Sequence, residues 1–269
     1  MVSSSFFIRT FISAIAVGII LSLLSNLVVL RNFAFAGLGI THSLIGGLGI
    51  GFLVGLSPTL STIITALAVG LLIGFMTLEG RLSEATAVGI IFPIFMSAGI
   101  IALFFANKYS SELLGYLFGN PLLITRSELL ILLIFTATLL LWLWAFFKEL
   151  MFIAFDIELA KASGINVNVH HILFVLMVAI AVAIASKLVG IILVSSLLVL
   201  PGATGLIIAR DYRTMFLLSL IFGLSAIIGG LYLAILINLP PGATVVLLSG
   251  LIFISVLGGK WFIKLIRGR

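Results

Sequence analysis

One histidine, His42, lies inside a long apolar segment that begins near residue 34. At 1.5 Å per helical residue, its position about eight residues along the segment places it roughly 12 Å deep, near the middle of a hydrocarbon core about 30 Å thick. An ionisable side chain at that depth is a functional candidate, since it could ligate a metal, relay protons or hydrogen-bond a neighbouring helix. Position alone leaves these three roles open.

Small residues recur every four positions on the same segment, so they share one helical face: Gly39, Ser43, Gly47, Gly51 and Gly55. Such a stripe predicts close helix packing. His42 lies beside it and is therefore expected to face a neighbouring helix or a pore.

The second candidate is Phe155–Gly164, the only long charged break in the chain. Its Ala, Leu and Glu residues favour helix, and Gly164 fits a helix end. A short cytoplasmic helix with mixed charge suits a docking surface for a partner, and a solvated connector is the simpler alternative. The residues that would form this helix are Phe155, Asp156, Glu158, Ala160, Lys161 and Gly164.

The composition indicates the environment in which these residues lie. Hydrophobic residues make up 63% of the 269 positions, charged residues 8%, and the mean hydropathy is +1.45. These values exclude a soluble enzyme, a secreted disulfide scaffold and a disordered tail, and predict an all-α, polytopic bundle of transmembrane helices in a lipid bilayer. Residues 1–269 are expected to form a single transmembrane domain, and the first segment to remain as a span rather than a cleaved signal.

Nine apolar segments have roughly the 20 residues needed to cross a bilayer. They are 10–30, 34–56, 59–78, 85–106, 128–147, 169–186, 188–209, 214–237 and 243–263. A break is expected at Lys187 because an unpaired lysine is costly inside lipid, and another near Pro201 because proline interrupts helices. Pro241 is expected to begin a helix, and a short interfacial helix is predicted near Tyr116–Pro121.

The net charge of +6 fits membrane topology rather than nucleic-acid binding. If the loop 148–168 is cytoplasmic and every segment crosses, ten basic residues lie inside and four outside. The inside set is Arg31, Arg81, Lys148, Lys161, Arg210, Arg213, Lys260, Lys264, Arg267 and Arg269, and the outside set is Arg9, Lys108, Arg126 and Lys187. If the N-terminus were inside instead, one segment would not cross and eight spans would remain.

Signatures of several enzyme classes are missing. The chain has no zinc-protease His-Glu-x-x-His motif, no hydrolase nucleophile elbow and no Walker phosphate loop, so it is not expected to hydrolyse ATP itself. It also has no cysteine, which excludes disulfides and thiolate metal ligands.

The chain resembles the membrane permeases of bacterial zinc/manganese ABC importers, a type II importer fold. The matching pieces follow one another in order: Gly37 to Gly47 around His42, Ala87 to Phe92, Tyr116 to Asn120, Phe155 to Gly164, Val189 to Pro201, and Leu239 to Thr244. The last piece also resembles the related iron-chelate and cobalamin permeases.

This resemblance implies a homodimer of permeases, cytoplasmic ABC ATPase subunits and an extracytoplasmic metal-binding protein. Phe155–Gly164 would be the coupling helix in the ATPase groove, and His42 would line the path of transported zinc or manganese, with no permanently bound cofactor. Family members often carry an aspartate one turn before this histidine, where this chain has Leu38. Water, backbone oxygens or the hydroxyls of Thr41 and Ser43 could complete the site, or it could be a weak transit site.

Two readings compete with this one. An iron-chelate or cobalamin permease would carry bulky cargo and need no metal ligand inside the membrane. A proton-coupled secondary transporter would use His42 as a relay and need no ATPase. An intramembrane enzyme is disfavoured because no nucleophile–base pair is visible.

Overall fold

The structure, a computed structural model, describes residues 4–78, 82–106 and 124–266, together with Leu117 and Gly119. These residues form a helical bundle and contain no strand. The helices are α1 Ser4–Leu30, α2 Ala34–Val54, α3 Pro58–Thr77, α4 Glu84–Ala106, α5 Arg126–Phe155, α6 Ile157–Ala162, α7 Val167–Val189, α8 Ile191–Leu197, α9 Leu200–Ile208, α10 Tyr212–Ile237 and α11 Pro241–Ile266.

Within these ranges, eight helices are long and apolar enough to cross a membrane: α1 to α5, α7, α10 and α11. Helix is the expected state, because lipid offers no partners for free backbone N–H and C=O groups. The prediction of an all-α, polytopic membrane bundle is therefore confirmed. Pro241 begins α11 as predicted, whereas the helix expected near Tyr116–Pro121 falls largely outside the described residues.

Side-chain contacts define the two ends of the bundle. At one end, His171 near the start of α7 bonds to Arg31 after α1 and to Thr77 at the end of α3. At the other, Lys187 near the end of α7 pairs with Glu128 at the start of α5. We call the first the loop end, because α6 follows the end of α5 there, and the second the far end.

The seventh predicted segment, 188–209, is not one continuous helix. Gly190 follows α7 with a φ of +104°, a conformation that strongly favours glycine, and α8 begins directly after it. Pro201 lies in the first turn of α9, so the chain breaks between α8 and α9 just before it. Lys260 of α11 donates to the carbonyl of Ile207 near the end of α9. The two short helices together lead the chain from the far end back to the loop end.

Two predicted boundaries are wrong. Helix α7 continues through Lys187 to Val189, because Glu128 neutralises the ammonium group and the charge does not have to end the helix. Helix α5 continues past Lys148 to Phe155, with a single non-helical residue at Phe146. Apolar side chains in this last stretch are buried and keep it helical: Leu150, Met151 and Ile153.

Helices α2 and α4 run parallel and touch through their backbones. A Cβ on Gly46 would collide with the carbonyl oxygen of Phe95, and one on Gly49 with the carbonyl oxygen of Gly99. Only glycine allows this approach. On another side of α2, Gly47 lies against Thr65 of α3. The small-residue stripe thus serves as a packing surface, and the backbone-to-backbone contact lies beside it, at Gly46 and Gly49.

Candidate functional site

His42 is the ninth residue of α2, which agrees with the predicted depth of roughly 12 Å from the helix start. Its side chain is half-buried, and Nδ1 lies 3.0 Å from the carbonyl oxygen of Leu38. A carbonyl can only accept, so Nδ1 carries a proton, and in the neutral imidazole Nε2 keeps its lone pair. The ring of Phe92 meets the imidazole edge-on, with 5.6 Å between centroids. This arrangement presents Nε2 as an acceptor or a metal ligand.

The start of α2 is fixed by a residue of another helix. The residue before α2, Phe33, makes no side-chain capping bond, but Glu84 in the first turn of α4 accepts from the amide of Ala36. A carboxylate is well suited to the free amides and positive dipole end of a helix N-terminus. Sequence reasoning missed Glu84 because no local pattern links it to α2.

Thr41 and Ser43 flank His42 but have different surroundings. Both side chains are fully buried, and each hydroxyl donates to the carbonyl four residues earlier, Thr41 to Gly37 and Ser43 to Gly39 at 2.7 Å. Their role in completing a metal site stays a prediction. Leu38, one turn before His42, is 41% exposed and lies on the open side of α2.

A complete metal centre is not visible within the part of the chain that the structure describes. No three His, Asp or Glu residues come together there in a way that could hold an ion. Zinc in closed protein sites takes four ligands. A single copy of the chain therefore offers His42 as one ligand of an incomplete site.

The predicted short helix after residue 155 forms at α6. Asp156 caps it, its Oδ1 accepting from the amide of Leu159 at 2.9 Å. Gly164 has a φ of +82°, and the amides of Gly164 and Ile165 bond to the carbonyls of Lys161 and Ala160. This pair of bonds is a Schellman motif, which ends the helix at a left-handed residue.

One side of α6 is anchored and the other is open. Ala160 is fully buried in a small cluster with Ile153 and Val167. The side chains of Phe155, Ile157 and Leu159 are 67%, 48% and 52% exposed, beside an exposed pair of Glu158 and Lys161 with 3.3 Å between Oε1 and Nζ. Exposed apolar side chains ringed by charges are typical of a protein-docking surface.

Behind α6, a polar chain ties three helices together. Nη2 of Arg31 lies 3.0 Å from Nδ1 of His171, and Nε2 of His171 lies 2.8 Å from Oγ1 of Thr77. The guanidinium also stacks over Phe174, 4.5 Å from the ring centroid. Burial lowers the pKa of Arg31 to about 10, so it stays charged at neutral pH. The sequence places His171 near the edge of the predicted segment 169–186 and indicates neither of these partners.

A sequence model of the ABC 3 transport family matches residues 3–259, nearly the whole chain. The chain belongs to the ABC 3 transport family. Among its relatives, the manganese transport system membrane protein MntC of Listeria monocytogenes is 32% identical over 93% of this chain and 89% of its own length. The high-affinity zinc uptake system membrane protein ZnuB of Haemophilus influenzae is 28% identical over 90% and 94%.

Among solved structures, PsaBC from Streptococcus pneumoniae in complex with Fab matches with a TM-score of 0.81 and 31% identity. The match covers 93% of this chain and 90% of that one. A second structure, an inward-facing putative metal-chelate type ABC transporter, has a TM-score of 0.73 at 16% identity and shares the fold. This ABC 3 protein is thus a multi-pass permease of the cell membrane, and the family favours that role over a secondary transporter or an enzyme.

Proposed function

We propose that this ABC 3 permease imports a divalent metal ion, zinc or manganese, and that the ion passes His42. The observation that carries this proposal is an imidazole halfway along a membrane helix with its Nε2 lone pair available. Imidazole nitrogen is a good ligand for such ions. The relatives named for manganese transport and for zinc uptake support the same cargo class.

The permease functions as a homodimer of two single-domain chains, with the path between them. Two copies bring two His42 imidazoles to the path and, with Leu38 in the adjacent position, no carboxylate. Water or backbone oxygens complete the coordination. Such a site binds weakly, which suits a conduit that must release its cargo. Loss of a hard carboxylate ligand shifts preference towards zinc over manganese.

The energy source is a separate cytoplasmic ABC ATPase that docks on α6. The exposed Ile157 and Leu159 support this, because they lie on α6 outside the membrane-spanning helices, next to the exposed Phe155 at the end of α5. Asp156 and Gly164 hold α6 in shape at its two ends. An extracytoplasmic metal-binding protein delivers the ion at the far end of the bundle.

Transport proceeds by alternating access. ATP binding and hydrolysis on the partner move α6 and switch the dimer between outward-open and inward-open forms. An ion can bias this switch only if it binds the two forms unequally. His42 supplies that difference, because the imidazole is held by its own helix and moves with α2.

The test is metal uptake into vesicles that contain the permease and its co-expressed ATPase. Uptake of manganese or zinc should require ATP, and it should disappear when α6 is disrupted by Asp156→Pro. Proton-driven uptake without ATPase would overturn the proposal in favour of a secondary transporter. Uptake of an iron chelate with no flux of free ions would overturn it in favour of a chelate permease.

A further inference from the structure

A cavity of 350 Å³ lies next to the first turn of α2, on the loop-end side of His42. Phe35 and Leu38 line it from α2, and Ser195, Ser196 and Val199 line it from α8 and the break that follows. Leu38 connects the cavity directly to His42, because its carbonyl accepts the bond from Nδ1 while its side chain lines the cavity wall. An ion leaving His42 towards the loop end would therefore enter this space.

Two serines supply the polar side chains of the wall, since the other lining residues are apolar. Ser195 and Ser196 are half-buried, whereas Ser43 and Ser186 are fully buried. A serine hydroxyl keeps acceptor lone pairs even when it donates its proton. Neutral oxygen is a ligand type that hard divalent cations accept, and a pair of such groups binds too weakly to trap them.

The position of these serines on a broken helix favours the same role. Pro201 has no N–H, so the carbonyl of Leu197 lacks the donor that an unbroken helix would give it. In membrane transporters, the backbone oxygens and side chains at such interruptions commonly coordinate cations. The cavity also has room for a cation with several of its waters, since each water occupies about 30 Å³ in the liquid.

We propose that Ser195 and Ser196 form a second station for the transported divalent cation, on the loop-end side of His42. The ion exchanges the imidazole nitrogen for water and hydroxyl oxygens there before it leaves the membrane. This inference rests on the proposed function, and it adds an oxygen-lined step that the family assignment does not contain.

The natural absence of cysteine makes the station directly testable. In the complete complex in vesicles, Ser196→Cys should make uptake sensitive to micromolar Cd²⁺, because a thiolate holds this soft ion where a hydroxyl does not. A dithiol chelator should restore uptake. Manganese or zinc should also slow labelling of the new cysteine by a thiol reagent. The matched control is Ser83→Cys, an exposed serine between α3 and α4, which should be labelled equally with and without metal and should give no Cd²⁺ block.

A second variant, Ser195→Ala with Ser196→Ala, should lower the uptake rate about tenfold or more while the complex still assembles and binds ATP. The inference is overturned if the unmodified complex transports metal and the double variant transports it at the same rate. In that case metal should also fail to slow labelling of Ser196→Cys, and Cd²⁺ should fail to inhibit uptake by that variant. If the unmodified complex moves no metal at all, the proposed function fails and this inference with it.

Discussion

Nδ1 of His171 accepts a hydrogen bond from Nη2 of Arg31 across 3.0 Å. Arginine can only donate, so this nitrogen carries no proton and the imidazole is neutral. Its Nε2–H then donates to Thr77, whose hydroxyl donates in turn to the carbonyl of Ile73 at 2.8 Å. The direction of every bond in this chain follows from the first one.

Replacing His171 should therefore cost more than the loss of a ring contact. His171→Phe keeps a ring against Phe33 but leaves a largely buried donor of Arg31 unpaired. We expect a loss of about 1–3 kcal/mol, measured as thermal stability in detergent. His170→Phe is the control and should stay within about 0.5 kcal/mol, because it loses only a bond to its own helix. Equal losses in both variants would contradict the role of the Arg31 bond.

His42 should be needed for transport and not for folding. His42→Ala removes the proposed metal ligand Nε2, so metal uptake should drop about tenfold or more while the thermal stability changes little. His170→Ala is a close control, since Nδ1 of His170 makes the same bond to the carbonyl four residues earlier, at 2.9 Å. The control should keep normal uptake. Full uptake and unchanged metal affinity in His42→Ala would remove His42 from the path.

Gly164 should be required for docking of the ATPase. Gly164→Val forces a β-branched residue into a left-handed conformation at a cost of about 1–2 kcal/mol and distorts the end of α6. We expect the ATPase to be lost from the purified complex. Gly164→Asn should retain it, because asparagine tolerates this conformation far better. Retention of a fully coupled ATPase in Gly164→Val would argue that α6 is a simple connector.

The contact between α2 and α4 should make Gly46 intolerant of even a methyl group. Gly46→Ala places a Cβ against the backbone carbonyl of Phe95, which cannot move aside as a side chain does, and should cost about 1–3 kcal/mol. Gly89→Ala on α4 meets no atom within 4 Å and should be neutral or slightly stabilising. Melting of both variants in detergent would test this, and equal stability would show that the helices can separate at no cost.

Local sequence predicts much of this molecule. The depth of His42 follows from helical rise, and the limits of α6 follow from Asp156 and Gly164 at its ends. Hydropathy finds the long spans because each is continuous and apolar. Hydropathy wrongly predicts one continuous span at 188–209, because Gly190 ends a helix without lowering the apolar character of the segment.

Partners that lie far apart in the chain could not be predicted. Glu84 caps Ala36 across 48 positions, and Glu128 pairs with Lys187 across 59. Each of these two pairings depends on which helices become neighbours. Helix neighbours are determined by how the complete helix surfaces pack, which a local sequence pattern does not indicate. Taken alone, Lys187 indicates a helix end, whereas its pairing with Glu128 allows the helix to continue to Val189.

Helices in proteins usually shear by letting interlocked side chains slip from one rotamer set to another. At Gly46, Gly49 and Gly99 there are no side chains between the two backbones to slip. Helices α2 and α4 are thus expected to move as one rigid body, so that His42 and Phe92 move together. Spin labels placed on these two helices should keep a constant separation through the ATP cycle, while distances from either helix to α9 change.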